Sequence, residues 1–307
     1  WARWNSGSRS SESMMRALRA EMAEGGSALR RAFIRARIWR LAWAKSASNS
    51  PFSSSAMGAG YHGRFGSGPS RGRFGPMRVV ALVPAYFAER SVGEVVHALR
   101  ASWPKVEGMP AVIVVDDGSG DRTGSVARDA GAYVVRHPKN QGKGAALRTG
   151  FERARAFGAE AVVSVDADGQ HPADEAIKLA IHPAPVESLL LGIRDLVGAG
   201  APRANQRSNA ISNFFLSGFT GRRLLDTQCG LRRYPLQRTL ALGARSTGYA
   251  FEAEIVLLAA RAGVFIEQVP IRVIYPSDRR THFNSVRDPA RIVARVVSTL
   301  LLGRGGA

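Results

Sequence analysis

From residue 77 onward, short apolar runs alternate with segments whose apolar residues recur every three or four positions. The apolar runs are rich in Val, Ala and Leu and predict buried strands at Val79–Val83, Ala111–Val115, Tyr133–Val135, Ala161–Val165 and Ser188–Leu191. The intervening segments predict helices at Val92–Ala101, Thr123–Ala130, Gly144–Ala156 and Asp174–Ile181. Strands and helices that alternate at these lengths are typical of βαβ units. We therefore expect an α/β fold with a mostly parallel central sheet flanked by helices.

The alternation breaks after residue 191. The sequence then predicts a helix at 203–218, a turn-rich segment at Asp226–Pro235, a helix at Phe251–Ala262, a bent strand or strand pair at Val264–Val273 and a final helix at 288–302. We interpret residues 77–307 as one domain, in which residues 192–307 build onto the sheet formed by residues 77–191. Glu252 and Glu254 stand two positions apart on a predicted helix, so we expect only one of them to face inward.

Residues 1–76 differ in composition from the rest of the chain. They contain 13 Lys or Arg residues against 3 acidic residues, and residues 48–76 are rich in Ser, Gly and Pro. This composition predicts disorder, with one short basic helix at 28–44 as a possible targeting helix or membrane anchor. Because Met77 stands directly before the first predicted strand, we favour a spurious extension that results from a start codon placed too far upstream.

The overall composition narrows the classes of protein. A single cysteine excludes a disulfide framework and fits a reducing compartment. No run approaches the ~20 apolar residues that span a bilayer, so we expect any membrane contact to be peripheral. The net charge of +19 suggests nucleic-acid binding, but the chain after residue 76 holds 30 basic residues against 21 acidic residues. That moderate excess suits an enzyme that handles phosphates near an anionic membrane.

Two carboxylates follow the strand Ala161–Val165 directly. Side chains alternate along an extended chain, so Asp166 and Asp168 should project in the same direction. Carboxylate pairs suit Mg²⁺ or Mn²⁺, ions that also bind substrate phosphates. Gln170 and His171 lie within reach as further ligands or as residues that orient the ligands. A polar turn after a core strand is the alternative interpretation.

Two further polar loops favour the metal–phosphate interpretation. Pro84–Glu89 and Asp116–Asp121 also follow predicted strands, as does Asp166–His171. Ligands of parallel α/β sheets bind outside the carboxyl ends of the strands, so these three loops should meet at one edge.

Four motifs, in this order along the chain, resemble those of family 2 glycosyltransferases. They are Val-Pro84-Ala-Tyr86, Val-Val-Asp116-Asp117-Gly-Ser119-x-Asp121-x-Thr123, Asn140-x-Gly142-Lys143-Gly144 and Asp166-Ala-Asp168-Gly-Gln170-His171. The polyprenyl-phosphate (dolichol-phosphate mannose synthase-like) branch is the closer match through Asp226-Thr-Gln228-Cys-Gly-Leu-Arg232, Gly248-Tyr-Ala-Phe-Glu252-Ala-Glu254 and Thr281-His-Phe-x-x-x-Arg287-Asp. The resemblance runs from about residue 79 to 290. It implies a GT-A (Rossmann-like nucleotide-binding) fold, a nucleotide-sugar donor, Mg²⁺ or Mn²⁺, and inversion at the anomeric carbon.

The resemblance also implies roles for individual residues. The expected donor-binding residues are Pro84, Ala85, Tyr86, Glu89, Asp116, Asp117, Lys143 and Asp166. The expected metal ligands are Asp166, Asp168 and Gln170. The expected residues for the acceptor or its phosphate are Arg194, Arg207, Ser208, Gln228 and Arg232. The expected catalytic residues are Asp168, Asp226 and Arg194.

One motif departs from the family pattern. The family continues Pro-Ala-Tyr with Asn-Glu, whereas this chain has Phe87-Ala88-Glu89. Either Glu89 replaces the missing carboxylate at the nucleotide from a position displaced by one residue, or the base or ribose is held differently. We expect Tyr86 to pack against the base.

Together these inferences predict a metal-dependent, inverting enzyme that moves a hexosyl group from a GDP- or UDP-hexose to a polyprenyl (dolichyl or undecaprenyl) phosphate. A phosphate acceptor is already ionised and needs positioning more than a general base. A lipid or polysaccharide hydroxyl is the alternative acceptor, with Asp226 as its base. A non-catalytic nucleotide-binding module is a second alternative, and a nucleic-acid-binding protein, which would depend on residues 1–76, is a third.

The final predicted helix suggests where in the cell the protein is located. Arg287, Arg291 and Arg295 recur every four residues and form one basic stripe beside apolar residues. Such a helix either attaches to anionic lipid or packs its apolar face into the core. We expect a cytoplasmic protein that is peripheral on the inner face of the membrane and has no nucleic-acid partner.

Overall fold

The computed structural model describes residues 77–274, which form a seven-stranded sheet flanked by helices. The strands are β1 (Val79–Ala85), β2 (Val112–Asp116), β3 (Tyr133–Arg136), β4 (Ala161–Ser164), β5 (Leu189–Arg194), β6 (Arg232–Pro235) and β7 (Ile266–Ile271). The helices are α1 (Val92–Ser102), α2 (Thr123–Asp129), α3 (Lys143–Ala156), α4 (Ala173–Ala180), α5 (Arg203–Thr220), α6 (Leu236–Ala241) and α7 (Ala250–Arg261). All the elements predicted before residue 191 are present, with small shifts in their bounds.

The strand order is β3-β2-β1-β4-β6-β5-β7. Strand β1 pairs in parallel with β2 and β4, β2 pairs in parallel with β3, and β5 pairs in parallel with β7. Strand β6 alone runs antiparallel to its two neighbours. The structure thus confirms the predicted α/β class and the mostly parallel sheet. The chain leaves β1 toward β2 on one side and returns to β4 on the other, which makes the carboxyl end of β1 a switch point where ligands bind in such sheets.

Alternating strand residues pack on the two faces of the sheet. On one face, Val80 and Leu82 of β1 join a buried cluster with Phe151 of α3. On the other face, Val83 joins a second cluster with Leu99 of α1. Burial of apolar side chains on both faces is the main force that stabilises a parallel sheet. Strands β2 and β5 end in the charged residues Asp116 and Arg194, so charged groups collect at the carboxyl edge.

The second half contains two differences from the sequence prediction. The segment Asp226–Pro235 is more than turns, because its last four residues form β6 and helix α6 follows directly. The turn-rich sequence did not predict this strand, which begins with Arg232 and Arg233; arginines are seldom fully buried, but both of these are. The bent strand or strand pair expected at Val264–Val273 is the single strand β7.

Some predictions concern residues outside the described range of 77–274. These are the disorder or spurious origin of residues 1–76, the basic helix at 28–44, the motif at 281–288 and the final helix at 288–302. Within residues 77–274, no helix is both long and apolar enough to cross a membrane. Strands of the two predicted halves share one sheet, and the division at residue 191 stays a prediction.

Candidate active site

The loops that follow β1, β2 and β4 lie against one another at the carboxyl edge of the sheet. The backbone N–H of Phe87, after β1, donates to Oγ of Ser119, after β2, at 3.0 Å. The hydroxyl of Ser91 donates to the carbonyl of Ala167, after β4, at 2.6 Å. The three loops singled out in the sequence therefore do converge, because parallel strands bring their carboxyl ends to the same edge.

Asp116 is the last residue of β2 and is fully buried. Its Oδ1 accepts the backbone N–H of Ser119 at 3.0 Å. Its Oδ2 lies 3.4 Å from Nε of Arg136, and among residues 77–274 it has no hydrogen-bond partner. A buried acceptor without a donor is costly, so this oxygen suits an N–H or O–H group supplied by a ligand.

The neighbouring carboxylate, Asp117, has a different environment. Its Oδ1 accepts the backbone N–H of Gln141 at 2.9 Å and lies 2.6 Å from Nδ1 of His137. Its Oδ2 accepts the backbone N–H of Gly142 at 2.7 Å. Asp117 therefore holds the loop that precedes α3, and both of its oxygens are engaged within the protein. His137 joins this network, and its Nε2 lies 2.9 Å from Oγ1 of Thr149.

Gly142 is required for the close approach of this loop to the second half of the domain. Its φ is 90°, and a Cβ atom there would lie 2.5 Å from the carbonyl oxygen of Thr247. Glycine adopts this left-handed backbone without steric cost. Helix α3 begins at the next residue, Lys143, which is thereby positioned above the strand ends.

Lys143 joins two carboxylates in a buried charge cluster. Its Nζ lies 2.7 Å from Oδ1 of Asp166 and 3.2 Å from Oε1 of Glu252. Burial lowers the pKa of Lys143, but the two carboxylates outweigh burial and raise it above its ordinary value. Burial raises the pKa of Asp166, but the charges of Lys143, His171 and Arg194 lower it to about 2. Both groups are therefore ionised at neutral pH.

The structure corrects the expectation that only one of Glu252 and Glu254 faces inward. Both are buried, because α7 is covered on nearly all of its sides. Glu252 pairs with Lys143, as described above. Glu254 accepts the backbone N–H groups of Arg245 and Ser246 at 3.1 and 2.8 Å.

The loop after β4 brings together the expected metal ligands. Asp166 and Asp168 are both half-buried. Oδ1 of Asp168 accepts the backbone N–H of Gln170 at 3.1 Å, and its Oδ2 accepts the side-chain amide of the same residue. His171 is buried beside them, with its Nε2 3.9 Å from Oδ2 of Asp166. Burial lowers the pKa of His171 to about 4, so its ring is neutral at pH 7.

These residues fit a divalent cation whose coordination shell is completed by oxygen atoms of a substrate. The described part of the chain has no group of three His, Cys, Asp or Glu residues arranged around one point. Mg²⁺ and Mn²⁺ need fewer protein ligands where phosphate oxygens complete the shell, and one or two carboxylates then suffice. Asp166 and Asp168 supply such a pair, and Nδ1 of His171 is a buried atom without a hydrogen-bond partner among residues 77–274.

Three of the expected acceptor-side residues form one hydrogen-bonded group with the expected catalytic residue Asp226. Arg194 donates through Nε to Oδ2 of Asp226 at 2.7 Å and through Nη2 to Oδ1 at 3.0 Å, which is a bidentate ion pair. The backbone N–H of Gln228 donates to the same carboxylate at 3.3 Å. The side-chain amide of Gln228 donates to Oγ of Ser208 at 2.9 Å. Arg207 is exposed on α5, one residue before Ser208.

Arg232 does not lie on an accessible surface with the other phosphate-binding candidates. Its guanidinium is fully buried and donates to the carbonyl oxygens of Thr227, Cys229 and Glu252 at 2.7 to 2.8 Å. The structure thus gives Arg232 a different position from the one that its acceptor-binding assignment requires. It ties the segment before β6 to helix α7.

The remaining donor-side candidates lie at the end of β1 and in the loop that follows it. Pro84 and Ala85 end the strand, and Ala85 pairs in register with Asp116. Tyr86 is half-buried, and its ring meets that of Phe87 edge to face, with 4.6 Å between centroids. Glu89 accepts the backbone N–H of Arg122 at 3.1 Å, so it helps to hold the loop after β2.

Comparison with known proteins identifies the family. Residues 80–233, half of the chain, match the family model described as Glycosyl transferase family 2. The chain is 28% identical over 209 residues to the undecaprenyl-phosphate mannosyltransferase of Micrococcus luteus, an alignment that covers 64% of this chain and 84% of that protein. It is 27% identical over 226 residues to the UDP-N-acetylglucosamine–dolichyl-phosphate N-acetylglucosaminyltransferase of Methanococcus voltae, with coverage of 64% and 86%.

The fold is similar to that of a solved glycosyltransferase. The crystal structure of glucosyl-3-phosphoglycerate synthase from Mycobacterium tuberculosis, in complex with Mn²⁺, uridine diphosphate and phosphoglyceric acid, matches with a TM-score of 0.58 and 20% identity. The match covers 74% of this chain and 78% of that chain. A likeness at this level of identity shows the fold, and it confirms the predicted GT-A architecture. The chain belongs to glycosyl transferase family 2, and it is a glycosyltransferase.

Proposed function

We propose that this enzyme transfers a hexosyl group from a GDP- or UDP-sugar to a polyprenyl phosphate, with inversion at the anomeric carbon and with Mg²⁺ or Mn²⁺ as cofactor. The observation that carries the proposal is the meeting of the two halves at Asp166. Its carboxylate is stabilised by Lys143, which begins α3, and by Arg194, which ends β5. Two relatives are named for undecaprenyl and dolichyl phosphate, which supports a lipid phosphate as the acceptor.

On the donor side, Oδ2 of Asp116, which has no hydrogen-bond donor among residues 77–274, accepts a hydrogen bond from the base or the ribose. Lys143 lies beside the diphosphate and reduces the negative charge that develops as the glycosidic bond breaks. Asp166 and Asp168 would hold the divalent cation, which acts as a Lewis acid on the leaving diphosphate when it is bound. These roles assign a separate task to each loop at the carboxyl edge.

On the acceptor side, the nucleophile is a phosphate oxygen of the lipid. It attacks the anomeric carbon, the bond from that carbon to the diphosphate oxygen breaks, and the nucleoside diphosphate leaves with the electron pair. A phosphate monoester, with a second pKa near 6, is mostly a dianion at neutral pH, so its attack needs no general base. Arg194 binds this anion, while both oxygens of Asp226 remain with Arg194 and orient its guanidinium.

We further propose that residues 77–191 bind the donor and residues 192–307 bind the acceptor at the inner face of the membrane. The lipid tail of a polyprenyl phosphate lies in the bilayer, so a cytoplasmic enzyme must approach the membrane surface. The exposed residues Arg203 and Arg207, on the first turns of α5, add positive charge to the acceptor half. Basic side chains near the surface strengthen attachment to anionic lipid.

Transfer of label from a nucleotide sugar into lipid tests the proposal. The full-length protein would be incubated with Mg²⁺ or Mn²⁺, a short polyprenyl phosphate and a panel of labelled GDP- and UDP-sugars. We expect label from one donor to enter the organic phase, and we expect EDTA to stop the transfer. Nucleotide binding without transfer to any polyprenyl phosphate would instead favour a hydroxyl acceptor. A protein that binds no nucleotide would contradict both assignments.

Asp226→Asn separates a phosphate acceptor from a hydroxyl acceptor. If Asp226 orients Arg194, the asparagine keeps its shape but loses the charge, and the KM for the lipid acceptor should rise about tenfold with little change in kcat. If Asp226 were the general base for a hydroxyl, kcat would fall roughly 10²–10⁴-fold. Steady-state kinetics with varied acceptor distinguishes the two outcomes, and unchanged nucleotide affinity is the control.

Gly230→Ala tests whether the position of Asp166 matters. A Cβ atom at residue 230 would lie 2.6 Å from Oδ1 of Asp166 and closer still to Oδ2, so the carboxylate must move away. We expect kcat/KM to fall about a hundredfold, since small misplacements of reacting groups cost that much. Gly218→Ala, where a Cβ atom meets nothing within 4 Å, is the matched control and should keep its activity. Full activity of Gly230→Ala would show that Asp166 tolerates displacement.

A further inference from the structure

Phe87 has a backbone conformation that phenylalanine rarely adopts. Its φ is 49°, and no other non-glycine residue in the described range of 77–274 has a positive φ. A bulky side chain in the left-handed region is strained, because its Cβ crowds the neighbouring backbone. The ring is also poorly sheltered, since 50% of the residue is exposed to solvent. Phe87 thus combines a strained backbone with an exposed apolar ring.

The surroundings of Phe87 place it directly at the donor loops. It follows β1 at the switch point of the sheet, and its ring meets that of Tyr86 at 4.6 Å between centroids and an interplanar angle of 76°. Its Cζ atom would lie 3.5 Å from a Cβ atom at Gly120, so the ring edge runs along the loop after β2. The two aromatic rings therefore stand over the segment that the resemblance assigns to the nucleotide.

One residue, Ser119, connects Phe87 with the carboxylate of Asp116. Ser119 accepts the backbone N–H of Phe87 through Oγ at 3.0 Å, and its own backbone N–H donates to Oδ1 of Asp116 at 3.0 Å. The second oxygen of Asp116 is the buried acceptor that lacks a donor. Ser119 thus contacts the backbone of Phe87 through its side chain and the carboxylate of Asp116 through its backbone, so the aromatic residue and the hydrogen-bond acceptor are held next to each other. A nucleobase offers the complementary pair of features, an aromatic face and an N–H edge.

We propose that Phe87 is a donor-binding residue whose ring packs on the base of the nucleotide sugar. This inference rests on the proposed function, because it assumes a nucleoside diphosphate donor. The left-handed backbone lowers the stability of the fold, and strain of this kind persists where a functional contact requires it. The family pattern has Asn at this position, and Asn tolerates the left-handed conformation. Phe87 therefore sets a mode of base binding that differs from the family pattern.

Phe87→Asn gives opposite expectations for binding and for stability. Removing the ring should raise the Kd for GDP or UDP about tenfold. Calorimetry on the full-length protein with Mn²⁺ measures this Kd. Relief of the strain should leave the unfolding temperature equal to or above that of the wild type. The matched control is Phe265→Asn, since Phe265 is similarly exposed but precedes β7 at the opposite edge of the sheet. This control should bind nucleotide as tightly as the wild type.

Phe87→Trp tests whether the side chain at residue 87 contacts the base directly or only positions Tyr86. Stacking of a base on the new indole should quench its fluorescence when GDP or UDP is added, beyond the change in the wild type. Phe265→Trp should show no such additional quenching. Wild-type affinity in Phe87→Asn, or no additional quenching in Phe87→Trp, would overturn the inference while the proposed function stands. A wild-type protein that binds neither nucleotide would overturn both.

Discussion

Asp168→Asn is expected to reduce kcat/KM about a thousandfold without unfolding the protein. The asparagine keeps an oxygen that can accept the backbone N–H of Gln170, a contact of 3.1 Å in the structure, so the loop after β4 should hold its shape. What is lost is one of the two negative charges that would hold the divalent cation. Stabilisation of a leaving diphosphate by a metal contributes several kcal/mol, which corresponds to roughly three powers of ten in rate.

The measurement is a steady-state transfer assay across a series of Mg²⁺ and Mn²⁺ concentrations. Asp129→Asn is the matched control: this carboxylate is exposed at the end of α2, at the opposite edge of the sheet, and should not matter. We prefer Asp168 to Asp166 for this test, because replacing Asp166 would also deprive the buried Lys143 of its 2.7 Å partner. Activity of Asp168→Asn near the wild-type value at low metal concentration would exclude Asp168 as a ligand.

Arg232→Met is expected to lower the free energy of unfolding by about 3–5 kcal/mol, the range for losing one member of a buried polar network. The guanidinium of Arg232 is fully buried and donates to three backbone carbonyl groups, at Thr227, Cys229 and Glu252. Methionine fills a similar volume but donates no hydrogen bond. Three buried acceptors would then lose their partner at once, and each loss is costly because water cannot replace it.

Urea unfolding monitored by circular dichroism measures this change. The control is Arg203→Met at the start of α5, where the arginine is exposed and the free energy of unfolding should change by less than about 0.5 kcal/mol. One outcome would support the sequence-based prediction that Arg232 binds the acceptor. If Arg232→Met were as stable as the wild type and lost affinity only for the lipid phosphate, Arg232 would be an acceptor-binding residue.

Much of the fold and of the donor side follows from local patterns in the chain. Apolar runs such as Val79–Val83 predict their strands because a buried parallel strand needs apolar side chains on both faces. Their alternation with helices predicts a mostly parallel sheet, and parallel strands must bring their carboxyl ends to one edge. The meeting of the loops after β1, β2 and β4 could therefore be inferred before any coordinate was known.

The different roles of Asp116 and Asp117 could be inferred only from the tertiary structure. The two residues are identical and adjacent, and the sequence assigned both to the nucleotide. Asp116 keeps one oxygen without a donor, whereas both oxygens of Asp117 hold Gln141, Gly142 and His137. These partners lie at least 20 positions away along the chain. No local pattern specifies them, because they reach Asp117 only when β3 and α3 pack beside β2.

On the acceptor side, too, the sequence alone does not determine the role of a residue, as Arg194 and Arg232 show. In the sequence, Arg232 resembles Arg194 as a candidate for binding phosphate. Arg194 ends β5 and pairs with the carboxylate of Asp226, whereas Arg232 begins β6 in the interior and donates its hydrogen bonds to backbone carbonyl groups. The periodicity of a sequence reports which positions are apolar, and it therefore predicts strands, helices and the edge at which loops meet. The partner of a buried charge is set by contacts between distant segments, so only the folded chain decides which arginine can bind an anion and which one holds the protein together.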